Sequence, residues 1–239
     1  MRISRRRPGV ASDRSAFAGY RFPPEVILLA ARWYLRFGLS YRDLEELLAE
    51  RGVVVDHVTP YRWVQHFTSL VVEAARQCRH GAGGRWLVDE TYVKVAGVWR
   101  YVYRAVDEHG QVIDVLVSVR RDIAAARRFF AQMLAVYDAP EHVTTDRSPV
   151  LAAAIAELLP SAFHDTGRYA HNRVEADHGR LKVRLRPMRG LKTLRGCRTI
   201  IKGHAFIQNL RRGCYELGVE ARRPQLRVVA AFDELARTI

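Results

Sequence analysis

Asp89 interrupts a run that is otherwise apolar and β-forming, Trp86-Leu-Val-Asp-Glu-Thr-Tyr-Val-Lys-Val95. On an extended strand Leu87, Asp89, Thr91 and Val93 share one face, and Trp86, Val88, Glu90 and Tyr92 the other. A carboxylate on a face that favours burial is costly unless it is paired or binds a cation. Asp146 repeats the anomaly at the end of a second short pattern, His142-Val-Thr-Thr-Asp146. Two acids closing two strands of one sheet can converge on a divalent cation, and hard carboxylate oxygens suit such an ion. A third carboxylate is expected from a helix packed beside the sheet. In the helical pattern from Ala170 to Leu185, the residues Ala170, Val174, Leu181 and Leu185 make an apolar stripe with Glu175 beside it. His171, His178 and Lys182 share the side of Glu175, whereas Asp177 falls on the opposite flank. Simpler readings stay open. Asp146 before Ser148-Pro149 can serve as a helix N-cap, Asp89 can pair with an arginine, and Glu175 and Lys182 can be surface charges.

The elements that must position these acids are legible in outline. Pro23-Pro24 precede an apolar-periodic helix that Gly38 ends, and Ser40-Tyr-Arg-Asp43 is a capping box for a second helix. A third helix starts near Asp56 or Thr59 and runs towards His80. Helix, Gly-containing connection and helix, with Thr59, Tyr61, Arg62 and Gln65 near the start of the last, form a helix-turn-helix pattern. After Gly81-Ala-Gly-Gly84, three strands are predicted at 86–95, 98–106 and 112–119. A helix from Asp122, the strand at 142–146 and a helix over 149–159 follow. Further helices are predicted over 170–185 and 191–214. The order predicts an α/β fold with a ribonuclease-H-like core, a mixed sheet flanked by helices. The expected organisation is a basic arm over 1–20, a helix-turn-helix domain over 21–80, a catalytic core over 85–187 and a basic C-terminal helical segment over 188–239.

The charge points to a partner. The 239 residues carry 39 Lys and Arg against 25 Asp and Glu, a net charge of +14, and nearly all the cations are Arg. Arg pairs well with phosphate, although a GC-rich genome also raises Arg over Lys. The excess lies in the N-terminal arm and after residue 168. From Arg180 to Arg212 there are eleven basic side chains and no acidic one, a candidate phosphate track. No apolar run is long enough for a membrane span, and the Arg-rich N-terminus is no secretory signal. Cys78, Cys197 and Cys214 lie far apart without a C-x-x-C pair, which argues against a disulfide framework or a zinc knuckle. A soluble, intracellular protein is expected.

Three blocks carry a family resemblance. The run from Trp86 to Val95, followed by Trp99-Arg-Tyr-Val-Tyr-Arg-Ala-Val-Asp107, resembles the first catalytic block of DDE transposases of the insertion sequence six family. Leu39 to Gly52, followed by Tyr61-Arg-Trp-Val-Gln65, resembles that family's helix-turn-helix. Asn172-Arg-Val-Glu-Ala-Asp-His-Gly-Arg-Leu-Lys182 resembles its third block. The blocks are collinear from Arg21 to Gly213. Arg147 stands where the family commonly has Lys, His171 where it has Asn, and the gap between Asp146 and Glu175 is several residues short. The shortening is expected to trim the segment around Ser161 to Gly167.

The resemblance implies a catalytic triad of Asp89, Asp146 and Glu175 holding two Mg²⁺, with Mn²⁺ able to substitute, and Lys182 touching DNA near the scissile end. The implied reaction nicks 3′ ends of the element and joins them to target DNA, by a replicative, cointegrate-forming route. Implied partners are double-stranded DNA, both terminal repeats and target, and a homodimer or larger synaptic assembly. The implied location is the prokaryotic cytoplasm at the nucleoid. Expected DNA contacts are Thr59, Tyr61, Arg62, Gln65, Arg180, Lys182, Arg184, Arg186, Arg189 and Lys192. Competing readings are a DNA-binding regulator, an inactive or domesticated transposase, and a nuclease acting on RNA–DNA hybrids.

Overall fold

The computed structural model describes residues 15–167, 172–188 and 190–239, with the side chains of 172–177 and 187 outside that description. The chain divides into two compact units: 1–80 with 184–189 and 202–239, and 81–183 with 190–201.

In the first unit, α1 (Pro24–Arg36) begins with Pro at its first helical position, where no backbone N–H is needed. It packs on α2 (Tyr41–Ala49), α3 (Val58–Ala74) and α8 (Arg227–Ala236). The expected capping box of α2 is complete. Asp43 N–H donates to Ser40 Oγ at 3.1 Å, and Ser40 N–H donates to Asp43 Oδ2 at 2.6 Å. Ile27, Leu35, Leu44, Val64 and Phe67 fill the interior.

The C-terminal region departs from expectation. Residues 202–239 cluster with the N-terminal helices, while 190–201 cluster with the sheet, so 188–239 is not one segment. The second half of α7 (Leu194–Arg212) is buried over 203–210, with His204, Gln208 and Asn209 among the apolar residues, and Phe206 meets Tyr215 and Phe232 at ring-centroid distances of 5.4 and 6.0 Å. Gly203 allows the closest approach: an added Cβ there would lie 2.5 Å from Leu35 Cδ2. The helix α8 escaped the sequence reading.

The second unit is built on a five-stranded mixed sheet ordered β3-β2-β1-β4-β5. β1 (Arg85–Val95), β2 (Val98–Asp107) and β3 (Val112–Ser118) form an antiparallel meander. β4 (His142–Thr144) runs parallel to β1, and β5 (Phe163–Asp165) parallel to β4. Three strands in a meander and two parallel additions, with helices between, give the ribonuclease-H-like arrangement. α4 (Ile123–Leu134) is capped by Asp122, whose Oδ1 accepts from Ala125 N–H at 2.8 Å. It packs with α5 (Pro149–Leu158) over a core of Trp86, Val88, Tyr103, Ala105 and Ile113. That core lies on the even-numbered face of β1; Asp89 lies on the other. β5 occupies the segment expected to be trimmed, so Ser161 to Gly167 retains a strand of the sheet.

Candidate active site

The strand ladder leads towards the first two acids. β1 and β4 are paired from Arg85–His142 to Leu87–Thr144, and two residues further each chain reaches Asp89 and Asp146. Both are half-buried. Asp146 Oδ1 accepts from Ser148 N–H at 3.0 Å, which fixes the turn into α5. The N-cap residue of α5 is Ser148, so the simpler reading of Asp146 as the cap does not hold. Asp89 Oδ1 accepts from Glu90 N–H at 2.7 Å. Opposite Asp89 on β2 stands the fully buried Arg104.

α6 (Asn172–Leu185) reaches the first acid through His178, whose Nδ1 lies 3.4 Å from Asp89 Oδ2. His178 is only 6% exposed. Position 175 is one helical turn before it, and positions three apart share a face. The Glu175 side chain itself lies outside the described residues, as do His171 and Arg189. Among the described residues no three His, Cys, Asp or Glu side chains form a metal-binding group. The described part of the proposed set is two carboxylates, and the third falls on position 175.

A fourth carboxylate, missed in the sequence, borders the pair. Glu90 is nearly buried and forms an ion pair with Arg121. Burial pushes its carboxyl above the usual range, Arg121 draws it back, and the charges of Asp146 and then Asp89 push it up again. Arg121 is held above its ordinary value, first by its bond to Glu90 and in smaller part by Asp146. Tyr103, opposite Glu90 in the ladder, is pushed up to about 12, mainly by burial and next by Glu90. Asp89, Glu90 and Asp146 thus gather negative charge here, with Arg121 paired to Glu90 and Arg104 opposite Asp89. Adjacency of Glu90 to Asp89 was visible in the sequence, but pairing with Arg121 arises only when the strand after β2 returns to the sheet. His178 was legible as a residue on the side of Glu175, not as a neighbour of Asp89.

The expected DNA contacts separate into two groups. Arg62, Arg180, Lys182, Arg186 and Lys192 are exposed, Thr59 is half-buried, and Tyr61 is 39% exposed with its ring edge-on to Tyr41 at 5.4 Å. Lys182 Nζ lies 5.6 Å from the centroid of the Tyr92 ring. Two expectations are corrected. Arg184 is 5% exposed, stacks its guanidinium 4.7 Å from the Tyr34 ring centroid and donates to the Tyr34 carbonyl. It sits three residues after the buried Leu181, on the apolar stripe rather than the solvent side, and burial lowers its pKa. Gln65 is half-buried with both amide atoms turned away from solvent, so it is an interior residue of α3 rather than a base reader.

Comparison with known proteins gives the family. A model of the DDE domain matches residues 83–214. The transposase for insertion sequence-like element IS431mec of Staphylococcus aureus is 38% identical over 170 residues, covering 69% of this chain and 75% of that protein. The transposase for insertion sequence element IS257 in transposon Tn4003 of the same species matches to the same extent. Among solved structures, the HTLV-2 integrase catalytic core domain in complex with magnesium aligns over 64% of this chain and 99% of its own, with 19% identity and a TM-score of 0.42. The chain belongs to the DDE transposases of the insertion sequence six family.

Proposed function

We propose that this chain binds the terminal inverted repeats of an insertion sequence, nicks 3′ ends and joins them to target DNA by metal-dependent phosphoryl transfer, along a replicative, cointegrate-forming route. The observation that supports this reading is the parallel pairing of β1 with β4 as far as Leu87–Thr144, with Asp89 and Asp146 each two residues further along, and α6 meeting Asp89 one turn after position 175. The donor set fits Mg²⁺: carboxylate oxygens, those of Asp89 and Asp146 half-buried, beside a Glu90 carboxyl that burial first, and then the charges of Asp146 and Asp89, push up.

Asp89, Asp146 and Glu175 would hold two Mg²⁺, or Mn²⁺ in their place. When bound, such ions activate the attacking oxygen and stabilise the leaving one. The remaining work belongs to the chain. His178 fixes the Asp89 carboxylate, and Lys182 meets the backbone phosphate near the cut end. Tyr61, Arg62 and Thr59 at the start of α3 bind the terminal repeat. Arg180, Arg186, Arg189 and Lys192 follow the phosphates. Two ends and a target must meet, so the working form is a homodimer or larger assembly on double-stranded DNA. The site of action is the cytoplasm at the nucleoid; among the described residues no helix is long and apolar enough to cross a membrane.

The test is a joining assay with a linear terminal-repeat oligonucleotide and a supercoiled target. Mg²⁺-dependent covalent products, lost with a chelator, are expected. Repeat binding without joining in either Mg²⁺ or Mn²⁺ would put a non-catalytic DNA-binding protein in its place.

A further inference from the structure

We propose that the β1–β2 hairpin carries a stacking platform for an unpaired nucleotide of the DNA on which the chain acts. This rests on the transposase reading and adds a binding site to it.

In the hairpin register Tyr92 faces Tyr101 and Lys94 faces Trp99, all on the even face of β1. Towards the core this face is covered by α4 and α5. Beyond Glu90 the cover ends, leaving Tyr92 57% and Trp99 50% exposed. Their rings meet edge-to-face with centroids 5.0 Å apart. Lys94 Nζ stands 5.1 Å from the Trp99 centroid and Lys182 Nζ 5.6 Å from that of Tyr92, so a cation attends each ring. The backbone beneath is fixed. Ala96 and Gly97 both have positive φ, 48° and 80°, as a tight two-residue hairpin turn requires. Ala is a poor residue for that conformation. The turn is tied down by Ala96 N–H donating to the Leu191 carbonyl at 2.7 Å.

Exposed rings flanked by ammonium groups match a base and its phosphate. A second copy of the same patch would bring four lysines together, which disfavours self-association. Bases inside a duplex are already stacked, so the ligand is an unpaired one. Tyr92 is three residues along β1 from Asp89 and on the other face of the sheet, but α6 reaches both, His178 meeting Asp89 and Lys182, one turn later, meeting Tyr92. The platform therefore shares its strand and its helix with the first acid.

The experiment compares the full chain's affinity for a labelled blunt duplex and for the same duplex with a short unpaired thymidine tail, by anisotropy with chelator present. Wild type should prefer the tailed probe by about five- to tenfold, the size of one base–aromatic stack. Trp99→Ala and Tyr92→Ala should lose the preference and keep blunt-duplex affinity, while Trp99→Phe keeps both. Equal binding of the two probes by wild type, or an unchanged preference in Trp99→Ala, overturns the platform alone. Loss of all duplex binding by wild type would instead strike the DNA-binding reading. If Trp99→Ala lowers the sedimentation coefficient of the DNA-free protein, the patch is a contact between copies and the proposal falls.

Discussion

His178 Nδ1 lies 3.4 Å from Asp89 Oδ2, so α6 is joined to β1 at the first of the site's carboxylates. The imidazole is buried, and its Nε2 has no hydrogen-bond partner among the described residues. If Asp89 holds metal as proposed, a residue in that place orients the ligand without itself being one, a role whose loss commonly costs about 10–100-fold. His178→Ala is therefore expected to lower the joining rate by that factor and to raise the Mg²⁺ concentration needed for half-maximal rate. Repeat binding should be unchanged. His178→Asn, which keeps a polar group, should recover part of the rate. An unchanged metal requirement in the alanine variant would make the contact incidental.

Glu90 and Arg121 supply a prediction about stability. Glu90 is nearly buried and Arg121 half-exposed. Removing the cation leaves a carboxylate with little solvent and two acidic neighbours. Arg121→Ala should cost about 1–2 kcal/mol, less than the loss of a fully buried pair because water already screens Arg121. Glu90→Gln in the same background should restore much of it. Urea midpoints of the wild type, the two single variants and the double variant read the coupling directly. Additive effects of the two changes would show that the pair contributes nothing.

Arg180 and Arg184 are expected to fail in different ways despite lying one turn apart on α6. Arg180 is exposed; Arg184 is buried against Tyr34. Arg180→Ala should lower the slope of log affinity against log salt by about one phosphate contact and leave the urea midpoint alone. Arg184→Ala should lower the midpoint, because its guanidinium and stem fill interior space, and leave the salt slope alone. Equal salt slopes for wild type and Arg180→Ala would remove that residue from the phosphate track.

What the residues revealed in advance follows from the range of the signal. The capping box at Ser40, the alternation of Trp86 to Val95 and the helix start at Asp122 are local, and each element formed where its pattern lay. β5 has three residues, too few for a period to register, and it exists because β4 offers a parallel edge. α8 went unread although Val228, Ala231, Phe232 and Leu235, the residues it buries, recur at helical spacing. Arg184 and Gln65 were misplaced because a polar side chain says little about its surroundings. Arg184 is held inside by the face of Tyr34, a partner far away in sequence. For the site, Asp89 and Asp146 were legible as charges in strands that should be apolar. His178 and Arg121 needed the third dimension, since neither contact has a sequence spacing that announces it.

The claim at the centre is that Asp89, Asp146 and Glu175 act together on a bound metal. Joining and repeat binding should be measured in parallel for Asp89→Asn, Asp146→Asn and Glu175→Gln, each nearly isosteric with the residue it replaces. The account predicts that all three bind the terminal repeat as wild type does and form no joined product in Mg²⁺. Joined product at wild-type rate from any one of them, in Mg²⁺ and with binding intact, would contradict it.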